Sequence, residues 1–107
     1  MVAADEFVAL AMTLEGTRET PHFDRRAFRV ERIYATLGPD GLSANLKLTP
    51  DEQEFLCMMN PAAFAPVPNA WGRQGWTGVT LGSSDGVELA TALETAWRHA
   101  LPVRRKR

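Results

Sequence analysis

Trp71-Gly72-Arg73-Gln74-Gly75-Trp76-Thr77-Gly78-Val79-Thr80-Leu81 is the stretch that decides how the chain folds. Its second half alternates: Val79 and Leu81 fall on one side, Trp76, Gly78 and Thr80 on the other. Period-two alternation marks a strand with one covered face. Its first half sets two of the three tryptophans five residues apart, with an arginine and two glycines between them. A tryptophan exposed even in part usually has something to bury or to bind. The segment therefore announces both a strand and a candidate contact loop.

Upstream lies a meander. Leu42, Ala44, Leu46 and Leu48 alternate after the turn signal Gly38-Pro39-Asp40-Gly41. Phe28, Val30, Ile33, Ala35 and Leu37 share one face if Glu31-Arg32 forms a two-residue turn. That turn pairs Val30 with Ile33 and Phe28 with Ala35. Thr17 to Asp24 reads as a loop or a short edge strand interrupted by Pro21. Phe64 to Val67 reads as a short strand between prolines.

Three helices complete the pattern. Phe7, Leu10, Ala11 and Leu14 recur at helical spacing, and Gly16 stops the run. Thr49-Pro50-Asp51-Glu52 combines a cap, a first-turn proline and N-terminal acids. The helix it opens is expected to carry Phe55, Leu56 and Met59 inward and to end at Asn60-Pro61. Ser84 or Asp85 caps a third helix bearing Leu89, Leu93, Trp97 and Leu101 at four-residue steps, closed by Pro102. The expected fold class is α+β: a single antiparallel sheet with helices packed on one face. Residues 1–103 form one domain without repeats or a linker, and 104–107 form a basic tail.

Composition narrows the function. A chain of 107 residues supports one core without metal or disulfide, and Cys57 stands alone. A lone thiol suits a reducing cytoplasm. Asp5 and Glu6 replace the cationic start of a signal peptide, and no apolar run approaches the ~20 residues needed to cross a bilayer. Of the twelve Lys and Arg, four end the chain, leaving eight against thirteen acids, a body of −5. An acidic body argues against wrapping nucleic acid over a wide surface. The exception is residues 18–32, where Arg18, Arg25, Arg26, Arg29 and Arg32 outnumber Glu19, Asp24 and Glu31.

Several pieces together carry a resemblance: Phe28-Arg29-Val30, Ile33-Tyr34-Ala35-Thr36-Leu37, Ala44-Asn45-Leu46-Lys47-Leu48, Ala70-Trp71-Gly72-Arg73 and Gly75-Trp76-Thr77. In this order and spacing, from roughly Met12 to Leu101, the chain resembles the MmcQ/YjbR-like family. The resemblance implies a CyaY-like α+β fold and a DNA-binding protein. It also shows two departures. Glu31-Arg32 stands where relatives commonly have Gly-Lys, and the turn is one residue shorter.

The candidate site is the sheet face away from the helices. The alternation points Arg29, Tyr34 and Thr36 outward on one strand pair, Ser43, Asn45 and Lys47 on the next, and Trp76, Gly78 and Thr80 on the last. Two cations, two aromatic rings and an amide are groups that stack on bases and hold phosphates. Arg73 and Trp71 extend the face, and Arg25 and Arg26 lie nearby in sequence. The same residues also have an ordinary reading, because outward strand positions favour Thr, Tyr and Trp for packing alone. The Arg104–Arg107 run either anchors on phosphate or serves as a solubilising tail.

Other chemistry is poorly represented. His22, His99 and Cys57 lack metal-ligand spacing. The frataxin-like fold raises iron, but the first helix offers only Asp5, Glu6 and Glu15. No phosphate-cradling loop or nucleophile elbow occurs. The expectation is a non-enzymatic protein with no cofactor and no metal. Its partner is DNA or other nucleic acid, or a protein or small ligand docked through the Trp71–Trp76 loop. It has no membrane association, and a monomer is favoured over an oligomer.

Overall fold

In the computed structural model, which describes residues 1–102, six antiparallel strands form an open sheet. In chain order the elements are α1 (Ala4–Met12), β1 (Arg18–His22), β2 (Arg25–Arg29), β3 (Ile33–Leu37), β4 (Ser43–Lys47) and α2 (Pro50–Met59). There follow β5 (Phe64–Pro66), α3 (Ala70–Arg73), β6 (Trp76–Thr80), a 3-10 turn (Leu81–Ser83) and α4 (Gly86–Ala100). The strand order is β1-β2-β3-β4-β6-β5. The expected α+β class is the observed one. The basic run 104–107 lies outside the described residues.

The core sits between the sheet and α1, α2 and α4. Phe7 and Ala11 from α1 and Leu89, Leu93 and Ala96 from α4 meet Phe28, Ala35, Leu46 and Val79 from the strands. Phe7 and Phe28 pack edge to face at 5.8 Å, a favourable arrangement of ring quadrupoles. The signals that open α2 act as read: Thr49 Oγ1 accepts from the Glu52 amide, and the Glu52 carboxylate accepts from the Thr49 amide. Asp85, not Ser84, caps α4 by accepting from Val87 N. Both edge strands carry a proline, Pro21 in β1 and Pro66 in β5.

Two expectations about facing are corrected. The first is the β2–β3 register. Phe28 pairs with Ala35 as read, but Arg29, not Val30, pairs with Ile33. Two residues of β3 therefore span one step of β2, and Tyr34 is the extra one. A bulge of this kind breaks the alternation and re-aims a side chain. Tyr34, expected outward, is fully buried. Its hydroxyl donates to the Ala11 carbonyl of α1 (3.3 Å) and shares a hydrogen bond with Thr17 Oγ1 (2.9 Å). Burial raises its pKa, with the Thr17 bond acting in the opposite direction.

The second correction concerns α2. Phe55 is 59% exposed and Met59 63% exposed, whereas Gln53 is buried. Its amide Nε2 lies within reach of the Gly72 carbonyl (3.0 Å), the Trp76 carbonyl (3.0 Å) and Thr77 Oγ1 (3.2 Å). A polar peg thus sets the rotation of α2 and turns part of its apolar surface outward. Both carbonyls also accept a backbone amide, Gly75 N for Gly72 and Val67 N for Trp76, so the helix is docked onto an already bonded junction between α3 and β6.

Candidate functional site

On the sheet side away from α1, α2 and α4, β3–β4–β6 registry aligns Thr36, Asn45 and Gly78 in one row. Lys47 and Trp76 form the next pair. This face is less open than the alternation implies. Arg25 Nε donates to Thr36 Oγ1 at 2.8 Å, and Thr36 and Ala27 are buried. The guanidinium roofs the middle of β3, and its Nη2 has neither solvent nor a hydrogen-bond partner.

What remains is a groove of about 200 Å³, floored by Arg25, Thr36 and Asn45 and walled by Trp71, Trp76 and His22. The Trp71–Trp76 segment builds one wall. Asn69 Oδ1 accepts from Trp71 N and starts the single turn α3. Gly72 lies so near the chain before it that a Cβ there would sit 1.8 Å from the Val67 carbonyl oxygen. Gly75 has φ +106°, and a Cβ there would sit 1.8 Å from the Leu48 carbonyl oxygen. Only glycine permits both approaches. The two glycines between the tryptophans thus press the segment onto Val67, just after β5, and Leu48, just after β4, with Trp71 58% exposed on its outer side.

The β1–β2 hairpin builds the opposite wall. His22 pairs with Arg25, so Phe23 and Asp24 are its two turn residues. Phe23 has φ +59°, a left-handed conformation unfavourable for an aromatic residue. It is nevertheless 94% exposed and packs edge to face on His22 at 4.8 Å. Apart from this contact with His22, the ring is left in solvent and buries nothing in the core.

The structure brings four of the nine expected site residues into this groove: Arg25, Asn45, Trp71 and Trp76. Lys47 lies beside Trp76 in the adjoining strand and donates from Nζ to the Gln74 carbonyl. It faces a second hollow, which Trp76 also lines. Arg73 is exposed on α3 without lining the groove. Arg29 is held at the bulge, where Nη2 donates to the Glu31 carbonyl. Tyr34 is in the core. Arg26 is corrected as well: it has the inward parity of Phe28 and pairs with Glu19. That hydrogen bond holds the Glu19 carboxyl below its ordinary pKa and raises that of Arg26, to which Asp5 of α1 also contributes. Arg26 therefore stands on the helix side, already neutralised.

Sequence reading missed Phe23 and His22. The available signal was an aromatic residue within Pro21-His22-Phe23-Asp24, a turn where glycine or asparagine is usual. His99, isolated in sequence, meets Glu52 at 2.9 Å. Burial works to raise the Glu52 pKa, but the Thr49 amide and His99 outweigh it and hold the carboxyl below its ordinary range. Burial raises the Cys57 thiol, which leaves it a poor nucleophile. Among the described residues, no three His, Cys, Asp or Glu side chains converge on a common point. No helix there is long and apolar enough to cross a membrane.

A family model described as YjbR matches residues 12–99. Among solved structures, the chain is similar to DR2400 of Deinococcus radiodurans, described as a DUF419 domain. Identity is 26%, the match covers 90% of this chain and 76% of that one, and the TM-score is 0.76. It is also similar in fold to a Pseudomonas syringae protein, at 17% identity, 91% and 97% coverage and a TM-score of 0.72. No curated protein matches the sequence.

Proposed function

The chain belongs to the YjbR family, and from that premise we propose that it is a cytoplasmic, non-enzymatic module that binds single-stranded nucleic acid weakly and with little sequence preference. The observation that carries this reading is the grouping of Trp71, Trp76 and His22 around Arg25 and Asn45 in one groove, with Phe23 at its rim. Aromatic faces accept any base, and an amide reads a base edge without demanding one identity. Arg73, exposed on α3, and Lys47, paired with Trp76 in the register, are the cations that the reading assigns to phosphates. A body of −5 and a narrow groove favour an unpaired strand over a duplex, whose phosphates need a broad cationic surface. Among the described residues the groove lining includes no Ser, Cys, Asp or Glu, and its one hydroxyl, on buried Thr36, accepts from Arg25 Nε, an arrangement that supports binding over nucleophilic chemistry.

The test is a titration of labelled single- and double-stranded oligonucleotides at two salt concentrations. The single strand binds more tightly, and its affinity falls with salt. Trp71→Ala, at an exposed position, weakens binding by about 1–3 kcal/mol, roughly five- to 150-fold. Unchanged affinity in that variant removes the groove as the site. A second reading rests on the 94% exposure of Phe23 and 58% exposure of Trp71, which suit an apolar protein or small-ligand contact. It is preferred if nucleic acid leaves tryptophan emission unchanged while a defined partner is lost on Trp71→Ala.

A further inference from the structure

The outward turn of α2 leaves a second concavity on the opposite side of the molecule, independent of the sheet-face groove. Between α2 and α4 runs a groove of about 500 Å³, with Leu48, Phe55, Leu56, Met59 and Ala92 as its apolar surface. Phe55, Met58 and Met59 are 59%, 72% and 63% exposed, so three large apolar side chains within five residues face solvent. Methionine beside an aromatic ring makes a soft surface that accommodates varied apolar partners.

Charge decides what kind of partner fits. Asp51, Glu52 and Glu88 line the same groove, and among the described residues no Lys, Arg or His does. Among the described residues, Asp51 and Glu88 have no cationic partner; the Glu88 carboxylate accepts only from the Asn60 amide. A two-fold pairing of two copies through this groove would set these acids against their own equivalents, which disfavours self-association here. Nucleic acid is repelled for the same reason. The walls are two helices, and α2 has 10 residues, about 15 Å of length. A partner helix of two to three turns can lie along it, with apolar anchors at i, i+3 or i+4, and i+7.

We propose that the α2–α4 groove docks a basic amphipathic helix of another protein, its apolar face on Phe55, Leu56 and Met59 and its Lys or Arg side chains on Asp51 and Glu88. The probe is a fluorescein-labelled amphipathic helix built only of leucine and lysine, titrated into the full chain by anisotropy. Two controls share its length: a leucine–glutamate helix, and a leucine–lysine peptide scrambled so that no apolar face forms. Saturable binding of the first peptide alone is expected. Phe55→Ser with Met59→Ser should weaken it at least roughly tenfold. So should Thr91→Arg, which adds a cation to the groove without removing an apolar group; circular dichroism checks that both variants fold. Equal binding of all three peptides, or undiminished binding by both variants, overturns the proposal. Sedimentation showing a dimer that Phe55→Ser disperses would assign the groove to a second copy instead.

Discussion

Replacing Gln53 with methionine keeps the length of the side chain and removes its donors. In the native chain Nε2 serves the carbonyls of Gly72 and Trp76, with Thr77 Oγ1 at 3.2 Å. Thr77 loses little, because its hydroxyl already donates to the Gly75 carbonyl at 2.9 Å. Each carbonyl keeps a backbone donor, Gly75 N for Gly72 and Val67 N for Trp76, so each lost bond costs about 0.5–1.5 kcal/mol. The methionine returns about 1 kcal/mol through apolar burial, so the net loss centres on about 1 kcal/mol. With a urea slope between about 1 and 2 kcal/mol/M, the unfolding midpoint falls by about 0.5–1 M. The assay is urea denaturation followed by tryptophan emission and, separately, by far-UV circular dichroism. Gln53→Glu supplies an internal check. Its carboxylate would face carbonyl oxygens, so the introduced group has a raised pKa and the variant gains stability relative to the parent as pH falls. A midpoint for Gln53→Met within about 0.3 M of the parent would falsify the peg.

Three other perturbations bear on the site. Phe23→Gly relieves the left-handed turn and should raise stability by about 0.5–1 kcal/mol, while oligonucleotide binding weakens; a loss of stability with intact binding would mean Phe23 is a packing residue. Gly75→Ala forces a methyl group against the Leu48 carbonyl and should cost more than about 2 kcal/mol in the same urea assay, and a neutral result would contradict the close approach. The depressed pKa of Glu52 contributes stability that is present above its unfolded value and lost as pH falls through the folded one. In a comparison of urea midpoints from neutral pH to about pH 3, Glu52→Gln should flatten that acid limb, and an unchanged limb would show that the carboxylate adds nothing.

Much of the fold is legible because local chemistry and tertiary demand coincide. Gly38-Pro39-Asp40-Gly41, the Thr49 cap and the alternation of Ala44, Leu46 and Leu48 each require what the whole molecule also requires. Where a single residue shifts the count, legibility ends. The extra residue at Tyr34 reverses one ring from solvent to core, and no property of Ile33-Tyr34-Ala35 announces it. Gln53 is a second failure: apolar neighbours at Phe55, Leu56 and Met59 outvote it in any periodicity, yet three nearby acceptors decide the rotation of α2. The candidate site was half legible for the same reason. Arg25, Asn45, Trp71 and Trp76 meet because strand registry and two glycines bring them together. Arg26 has the opposite parity from Arg25, which adjacency in sequence conceals.

Pro21 and Pro66 have a consequence for how the molecule behaves when crowded. An open sheet ends in two ragged rims of unpaired amide and carbonyl groups, and such rims template fibre growth when a neighbour aligns with them. Here each rim has a pyrrolidine ring where a backbone donor would stand, and the β5 rim is only three residues long. Strand-to-strand polymerisation is thereby discouraged at both margins. Concentrated solutions should remain clear until one of those rings is exchanged for a residue that restores the missing donor.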